Sequence, residues 1–237
     1  MHPMVDFSKL SLAPSEPPKV PELCIGVTGH RPDKLWSVRN SVGVHDGYEY
    51  GNSIRVWVRK EIQKATEQLI QSAGRGKMDA SYRNSFLRDV KWQNGWEVDD
   101  KWRNIEVLCL HGGAQGADQD AAAQWCKMGL PYVVVVPFPR QDRLWPANSQ
   151  LRFAKVCLLA AGIYLVSDKE PSSREEASKS LLARNVRLCQ MTDQLIGVWD
   201  GTRGGTSHCV NWWNSVNFGA HFTRIDPTVG RDDDIPF

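Results

Sequence analysis

The sequence has no run of apolar residues approaching the roughly 20 that a membrane-spanning helix needs, so no membrane association is expected. The N-terminus also lacks the apolar segment of a secretory leader; Asp6, Lys9 and several prolines stand there instead, and the cytoplasm is the expected compartment. Charge of one sign is not in excess: 29 Lys and Arg against 27 Asp and Glu leave +2 over 237 residues. A protein that engages many phosphates carries a clustered excess of Lys and Arg, so the balance argues against nucleic acid as a partner. The basic residues around Arg55, Arg59 and Lys60 read as the solvated face of a helix. The six cysteines contain no CxxC pair and no Cys/His metal spacing, and several fall inside apolar runs, so reduced core thiols are expected, with no metal and no cofactor. Internal repeats are missing as well.

What is present is an ordinary globular composition, with 41% hydrophobic residues, 19 glycines and 13 prolines. A chain of this length buries about 70% of its unfolded surface and needs no staples. Pro14, Pro17, Pro18 and Pro21 predict an irregular tail over 1–21, and Asp232, Asp233 and Asp234 belong to an acidic tail over 227–237. One domain is expected over 22–226.

Within it, short apolar runs at 23–28, 107–110, 132–137, 163–166 and 195–199 are nearly continuous rather than alternating, as strands covered on both faces of a parallel sheet are. Helical patterns lie between them. Ile54, Trp57, Val58, Ile62, Ala65 and Leu69 form one stripe, Ala121, Ala122, Trp125 and Cys126 a second, and Ala177, Leu181 and Leu188 a third. A further helix is expected over 207–218. The alternation predicts an α/β fold: a Rossmann-like open, mainly parallel sheet with helices on both faces. The stretch 74–103, polar and carrying Trp92, Trp96 and Trp102, interrupts it and is taken as an insertion that packs over the sheet, forms a lid, or is a helical excursion with structural tryptophans.

In an open α/β sheet, ligands bind outside the carboxyl ends of the strands, and three strand ends stand out. The first is Thr28-Gly29-His30-Arg31-Pro32, where Arg31 offers a bidentate donor for an anion and His30 is either a phosphate donor or a loop histidine bonded to backbone. The second is His111-Gly112-Gly113-Ala114-Gln115-Gly116-Ala117-Asp118, a glycine-rich strand-to-helix loop that resembles the GxGxxG fingerprint without matching it. The third is Asp200-Gly201-Thr202-Arg203-Gly204-Gly205-Thr206, in which Thr206 caps the next helix or meets a phosphate, and Arg203 adds charge. Gln141 and Trp145 follow another strand and are placed to bond and stack on a base, or to pack. Arg184 and Asn185 lie on the helix before the 195–199 run, with Asp193 or Asp200 as carboxylate partners for Arg184. Two glycine-rich loops at strand-to-helix junctions point to a nucleotide or phosphosugar cleft.

In their order along 23–222, these motifs resemble the YpsA-like branch of the SLOG superfamily, Rossmann-like proteins related to the DNA-processing protein DprA and to the LOG phosphoribohydrolases. The resemblance implies a nucleotide or nucleotide-derived ligand at the carboxyl edge of the sheet, and a homodimer. In the LOG enzymes the last loop runs on to a glutamate that works with an arginine of the preceding helix to cleave an N-glycosidic bond. Arg184 stands in that arginine's place, but Cys209 occupies the glutamate's. The first expectation is therefore a sensor or ligand-binding domain, with Gly29, His30, Arg31, Gly112, Gly113, Ala114, Gly116, Gln141, Trp145, Asp200, Gly201, Arg203, Gly204, Gly205 and Thr206 around the ligand. The alternatives are a nucleoside 5′-monophosphate N-glycosidase, with Asp118 and Arg184 as the catalytic pair, and a DprA-like single-stranded DNA-binding protein. An enzymatic role is left open.

Overall fold

The computed structural model describes residues 21–31, 48–72, 85–92, 107–216 and 221–229. Seven strands form one sheet in the order β2-β5-β4-β3-β1-β6-β7. They are β1 (Leu23–Gly29), β2 (Lys91–Trp92), β3 (Val107–His111), β4 (Tyr132–Val136), β5 (Gly162–Leu165), β6 (Gln194–Val198) and β7 (Phe222–Ile225). Every pairing is parallel except that of β2 with β5. Helices α1 (Tyr48–Gln71), α2 (Ala117–Met128), α3 (Ala147–Leu159), α4 (Arg174–Gln190) and α5 (Gly205–Val216) connect the strands. The expected Rossmann-like α/β architecture is the one observed.

Both faces of the sheet are buried, and the strands show it residue by residue. Leu23, Ile25 and Val27 point into one core with Val107, Cys109, Tyr132 and Val134; Cys24, Leu108, Leu110, Val133 and Val135 point into the other. The first core is roofed by α1, α2 and α3 through Val58, Ile62, Trp125 and Phe153, and the second by α4 and α5 through Leu188, Cys189, Cys209 and Trp213. Period-two side chains in a sheet apolar on both sides give the continuous runs seen in the sequence.

Strand β1 is the hinge of the topology. Chain connections run from it outward through β3, β4 and β5, then return to its other side as β6 and β7. The reversal places a crevice at the carboxyl ends of β1, β3 and β6, the position where such sheets take ligands.

Of the span 74–103, residues 85–92 are described: Lys91 and Trp92 pair edge-on with Ile163 and Gly162, and Trp92 is buried in the second core with Leu87 and Val90. Trp96 and Trp102 lie outside the described residues, as do Pro32 and most of the two tails. Helix α3 carries exposed Leu151, Leu158 and Leu159 besides its buried Phe153, Val156 and Cys157, which blurs its apolar stripe. The last helix begins at Gly205, two residues before the expected start. Among the described residues, no helix is long and apolar enough to cross a membrane.

Candidate nucleotide cleft at the carboxyl edge of the sheet

Because β1 pairs with β3 on one side and β6 on the other, with Val27 opposite His111 and Gly29 opposite Val198, their loops leave the sheet side by side. Backbone contacts lock them together. The His30 N–H donates to Val198 O at 3.0 Å, and the Ala117 N–H donates to His30 O at 3.2 Å. Gly29 and Gly116 make this approach possible: a Cβ on Gly29 would overlap Ala117, and one on Gly116 would overlap the His30 carbonyl. Gly116 also sits at φ 96°, a conformation only glycine takes without strain.

His30 is a clamp between loops rather than a free phosphate donor. It is buried, its Nε2 lies 2.6 Å from Asp200 Oδ1, and the Asp200 N–H meets the same nitrogen at 3.1 Å. Burial disfavours the charged form of Asp200. The Thr202 hydroxyl and N–H, together with the His30 ring, outweigh that effect and hold its carboxyl well below the usual carboxylate range.

The second loop consumes its own donors. The Gly113 N–H donates to His111 Nδ1 at 3.0 Å, and the Ala114 N–H donates to Asp118 Oδ2 at 3.1 Å. With Nδ1 accepting, the proton of neutral His111 is on Nε2, which is buried without a partner. Burial, and then the Arg184 charge, push the His111 pKa down to about 3. Asp118 also takes Arg184 Nη1 on Oδ2 at 3.3 Å; burial raises its pKa, and Arg184 and the loop N–H groups only partly oppose this. The expected open cradle at Gly112 and Gly113 is therefore closed. Gly112 is covered by the Arg184 guanidinium, and Gly113 packs under Phe153, Val134 and Gln141.

The third loop is open. Ser207 Oγ accepts the Gly204 N–H at 2.8 Å, but no acceptor meets the N–H groups of Gly205 and Thr206 among the described residues. These are the unsatisfied donors of a helix start, aimed where an anion is favoured. Two consecutive residues of α4 hold the loops in place. Arg184 reaches the second loop through Asp118, and Asn185 Nδ2 donates to Gly205 O at 3.0 Å. Arg184 finds neither Asp193 nor Asp200, the partners the sequence suggested: Asp193 Oδ2 accepts the Cys24 N–H at 2.7 Å, and Asp200 is held by His30. The buried Nε of Arg184 has no partner.

The result is a cleft of about 400 Å³ lined by all three strand ends. Gly29, His30, Arg31, Ala114, Asp118, Gln141, Trp145, Arg184, Arg203, Gly204, Gly205 and Thr206, all singled out in the sequence, line it. Gly112, Gly113, Gly116, Asp200 and Gly201 do not; of these, Gly112, Gly113 and Gly116 are tightly packed behind it. Phe138, Ser178, Leu181 and Leu182 were missed. The last three project from the first half of α4, where a soluble helix face and a cleft wall have the same period. Trp145 stands edge-on to Phe153 at 5.5 Å, and Gln141 Nε2 reaches Gly112 O at 3.4 Å. Cys209 is fully buried, its sulfur 3.3 Å from that of Cys189.

Fold and crevice define an open Rossmann-like α/β protein with a cleft at its topological switch point. No family model matches the chain. It is 28% identical over 143 residues to the uncharacterized SPβ prophage-derived protein YoqJ of Bacillus subtilis (strain 168), covering 54% of this chain and 81% of that protein. Its fold is similar to that of DNA processing protein A (DprA) from Helicobacter pylori, a structure described by its single-stranded DNA binding mode, with TM-score 0.48, 13% identity, 87% of this chain and 66% of that one. DprA from Streptococcus pneumoniae gives TM-score 0.47 and 13% identity over 86% of this chain and 50% of that one. This chain thus spans less than two thirds of either DprA chain. The comparison corrects one expectation: a near-zero net charge does not set nucleic acid aside, since the structural neighbours include a single-stranded DNA binder. Net charge averages over a surface and says nothing about where cations gather.

Proposed function

We propose that the cleft binds a nucleotide or nucleotide-derived ligand, in the manner of a sensor or ligand-binding domain of the YpsA-like branch of the SLOG superfamily. The observation that carries the reading is the open start of α5, with Gly205 and Thr206 N–H unpaired beside Arg31, Arg203 and the partnerless Nε of buried Arg184. That set suits a phosphate. Trp145, Phe138 and Gln141 on the opposite wall offer a ring surface and an amide for a base. Of the two glycine-rich loops, the third keeps its helix-start donors for the ligand, whereas Gly113 and Ala114 of the second spend theirs on His111 and Asp118.

Binding without turnover is favoured over N-glycosidase chemistry because Asp118, the acid that would support a developing oxocarbenium charge, is already held by Ala114 N–H and Arg184. A single strand of DNA is the second reading, supported by the exposure of Arg31 and Arg203 at the rim. Calorimetric titration with a panel of 5′-mono- and dinucleotides tests the proposal. Saturable binding without release of free base is expected, with affinity falling at least about tenfold, roughly 1.4 kcal/mol, in Arg203→Ala. Failure of the whole panel to bind would overturn it. Base release from a monophosphate, lost in Asp118→Asn, would restore the glycosidase.

A further inference from the structure

Helices α4 and α5 meet at two successive rungs. At the cleft, Asn185 Nδ2 donates to Gly205 O at 3.0 Å. Four residues further along each helix, about one turn, Cys189 and Cys209 face each other with their sulfurs 3.3 Å apart. The Cys189 thiol also donates to Cys209 O at 3.7 Å. Both side chains are fully buried in the second core, and both thiols are free.

Packing alone asks only for apolar contact, and this pair has more. Its two thiols are unlike. The hydrogen bond from Cys189, helped by the Thr28 hydroxyl and the Arg184 charge, holds the Cys209 thiol below the ordinary range despite burial. The same hydrogen bond, with burial, pushes the Cys189 thiol up. One sulfur is thus prepared as a nucleophile, and its neighbour keeps the proton. The pair is also near solvent. Thr28 lines the cleft and hydrogen-bonds Cys209, so that sulfur lies one side chain behind the cleft wall, within reach of a small oxidant.

A bond between the two sulfurs has a mechanical consequence. It shortens their separation from 3.3 Å to about 2.0 Å. The cysteines are 20 positions apart, and the chain between them carries β6 and the whole third loop. The pull acts one turn behind Gly205 and Thr206, whose N–H groups form the open start of α5. Preorganised donors lose most of their value when displaced by about 1 Å.

We propose that Cys189 and Cys209 are a redox-active dithiol, oxidised by a peroxide to a disulfide that weakens anion binding at the start of α5. The Cys209 sulfur attacks one oxygen of hydrogen peroxide: the S–O bond forms, the O–O bond breaks, and the departing hydroxide leaves as water with the thiol proton. The Cys189 sulfur then attacks the Cys209 sulfenic acid. The S–S bond forms, the S–O bond breaks, and the leaving hydroxide takes the Cys189 proton as a second water. Two thiols lose two electrons and one peroxide gains them; a dithiol reductant reverses the change. The effect on binding rests on the nucleotide reading of the cleft, whereas the bond itself does not.

The test uses the full chain carrying Cys126→Ser, which removes the exposed thiol. After treatment with hydrogen peroxide, tryptic digestion without reductant should yield residues 188–203 joined to residues 204–224. The joined species should be lighter than the two peptides by the mass of two hydrogens, and dithiothreitol should separate it. This measurement needs no replacement of either core cysteine. Calorimetry with the mono- and dinucleotide panel should show affinity at least about tenfold lower in the oxidised protein, restored by dithiothreitol. Cys189→Ala, verified as folded by circular dichroism, should bind nucleotide equally well with and without peroxide. Peptides that stay reduced, or pass to sulfinic acid without joining, overturn the dithiol whatever the cleft binds. Joined peptides with unchanged affinity overturn the control of binding and leave the cleft reading standing. If the reduced protein binds no nucleotide, the cleft reading and the control of it both fall, while joined peptides still establish the dithiol.

Discussion

At the residue scale, the site depends on side chains that never touch a ligand. Asp200 reads in the sequence as a ligand-binding loop residue and His30 as either a phosphate donor or a loop histidine bonded to backbone; both, together with His111, are spent on holding loops. His111 makes this measurable. Its pKa is depressed to about 3 in the folded protein, mainly by burial, against about 6.5 in an unfolded chain. The unfolded state therefore binds the extra proton first, so His111 destabilises the fold progressively as pH falls from about 6.5 towards 3 and has no such effect above that window. His111→Asn keeps an acceptor for the Gly113 N–H and removes the titration. Its stability should fall less steeply across the window, by up to about 1.4 kcal/mol per pH unit, in chemical denaturation repeated at several pH values. Parallel slopes for the two proteins would contradict the assignment.

At the element scale, α4 does what no loop motif announces: one residue reaches the second loop and its neighbour the third. The sequence singled out Arg184 and Asn185 but named the wrong partners for Arg184, because the acid it meets is 66 residues away along the chain. Arg184 and Asp118 are both more than nine-tenths buried, so removing one partner should be costly. Arg184→Met should lower unfolding stability by about 3–5 kcal/mol, since it leaves an unpaired carboxyl in the interior. Adding Asp118→Asn should recover part of that loss, and equal or lower stability in the double variant would show that the pair is not coupled. The start of α5 has its own expectation. Gly205→Pro removes one of the two open N–H donors at a position that suits a helix start, so nucleotide affinity should drop while melting temperature changes little. Calorimetry beside a melting curve separates the two.

At the scale of the whole molecule, two buried layers account for five of the six thiols, and Cys126 alone is exposed. The sequence placed all six in the core. Cys126 shares the α2 stripe with Trp125 but falls on its solvent flank, a difference of one residue that helical periodicity near the edge of a stripe cannot resolve. A thiol reagent on the native protein should therefore modify one cysteine, all six after denaturation, and none rapidly in Cys126→Ser. Rapid modification of more than one would mean that the core opens readily. The sequence by itself determined the layered fold, since continuous apolar runs alternating with amphipathic stripes bury both faces of a parallel sheet, and its glycines marked the three strand ends that meet. Only the tertiary structure decided which loop keeps its donors, which acid Arg184 finds, and that Arg55 and Arg59, read in the sequence as a solvated helix face, converge on the buried carboxylate of Asp120. Hydrogen bonds and charges are satisfied by whatever lies nearest in space, and spatial proximity between residues far apart in the chain is settled by packing, not by local pattern.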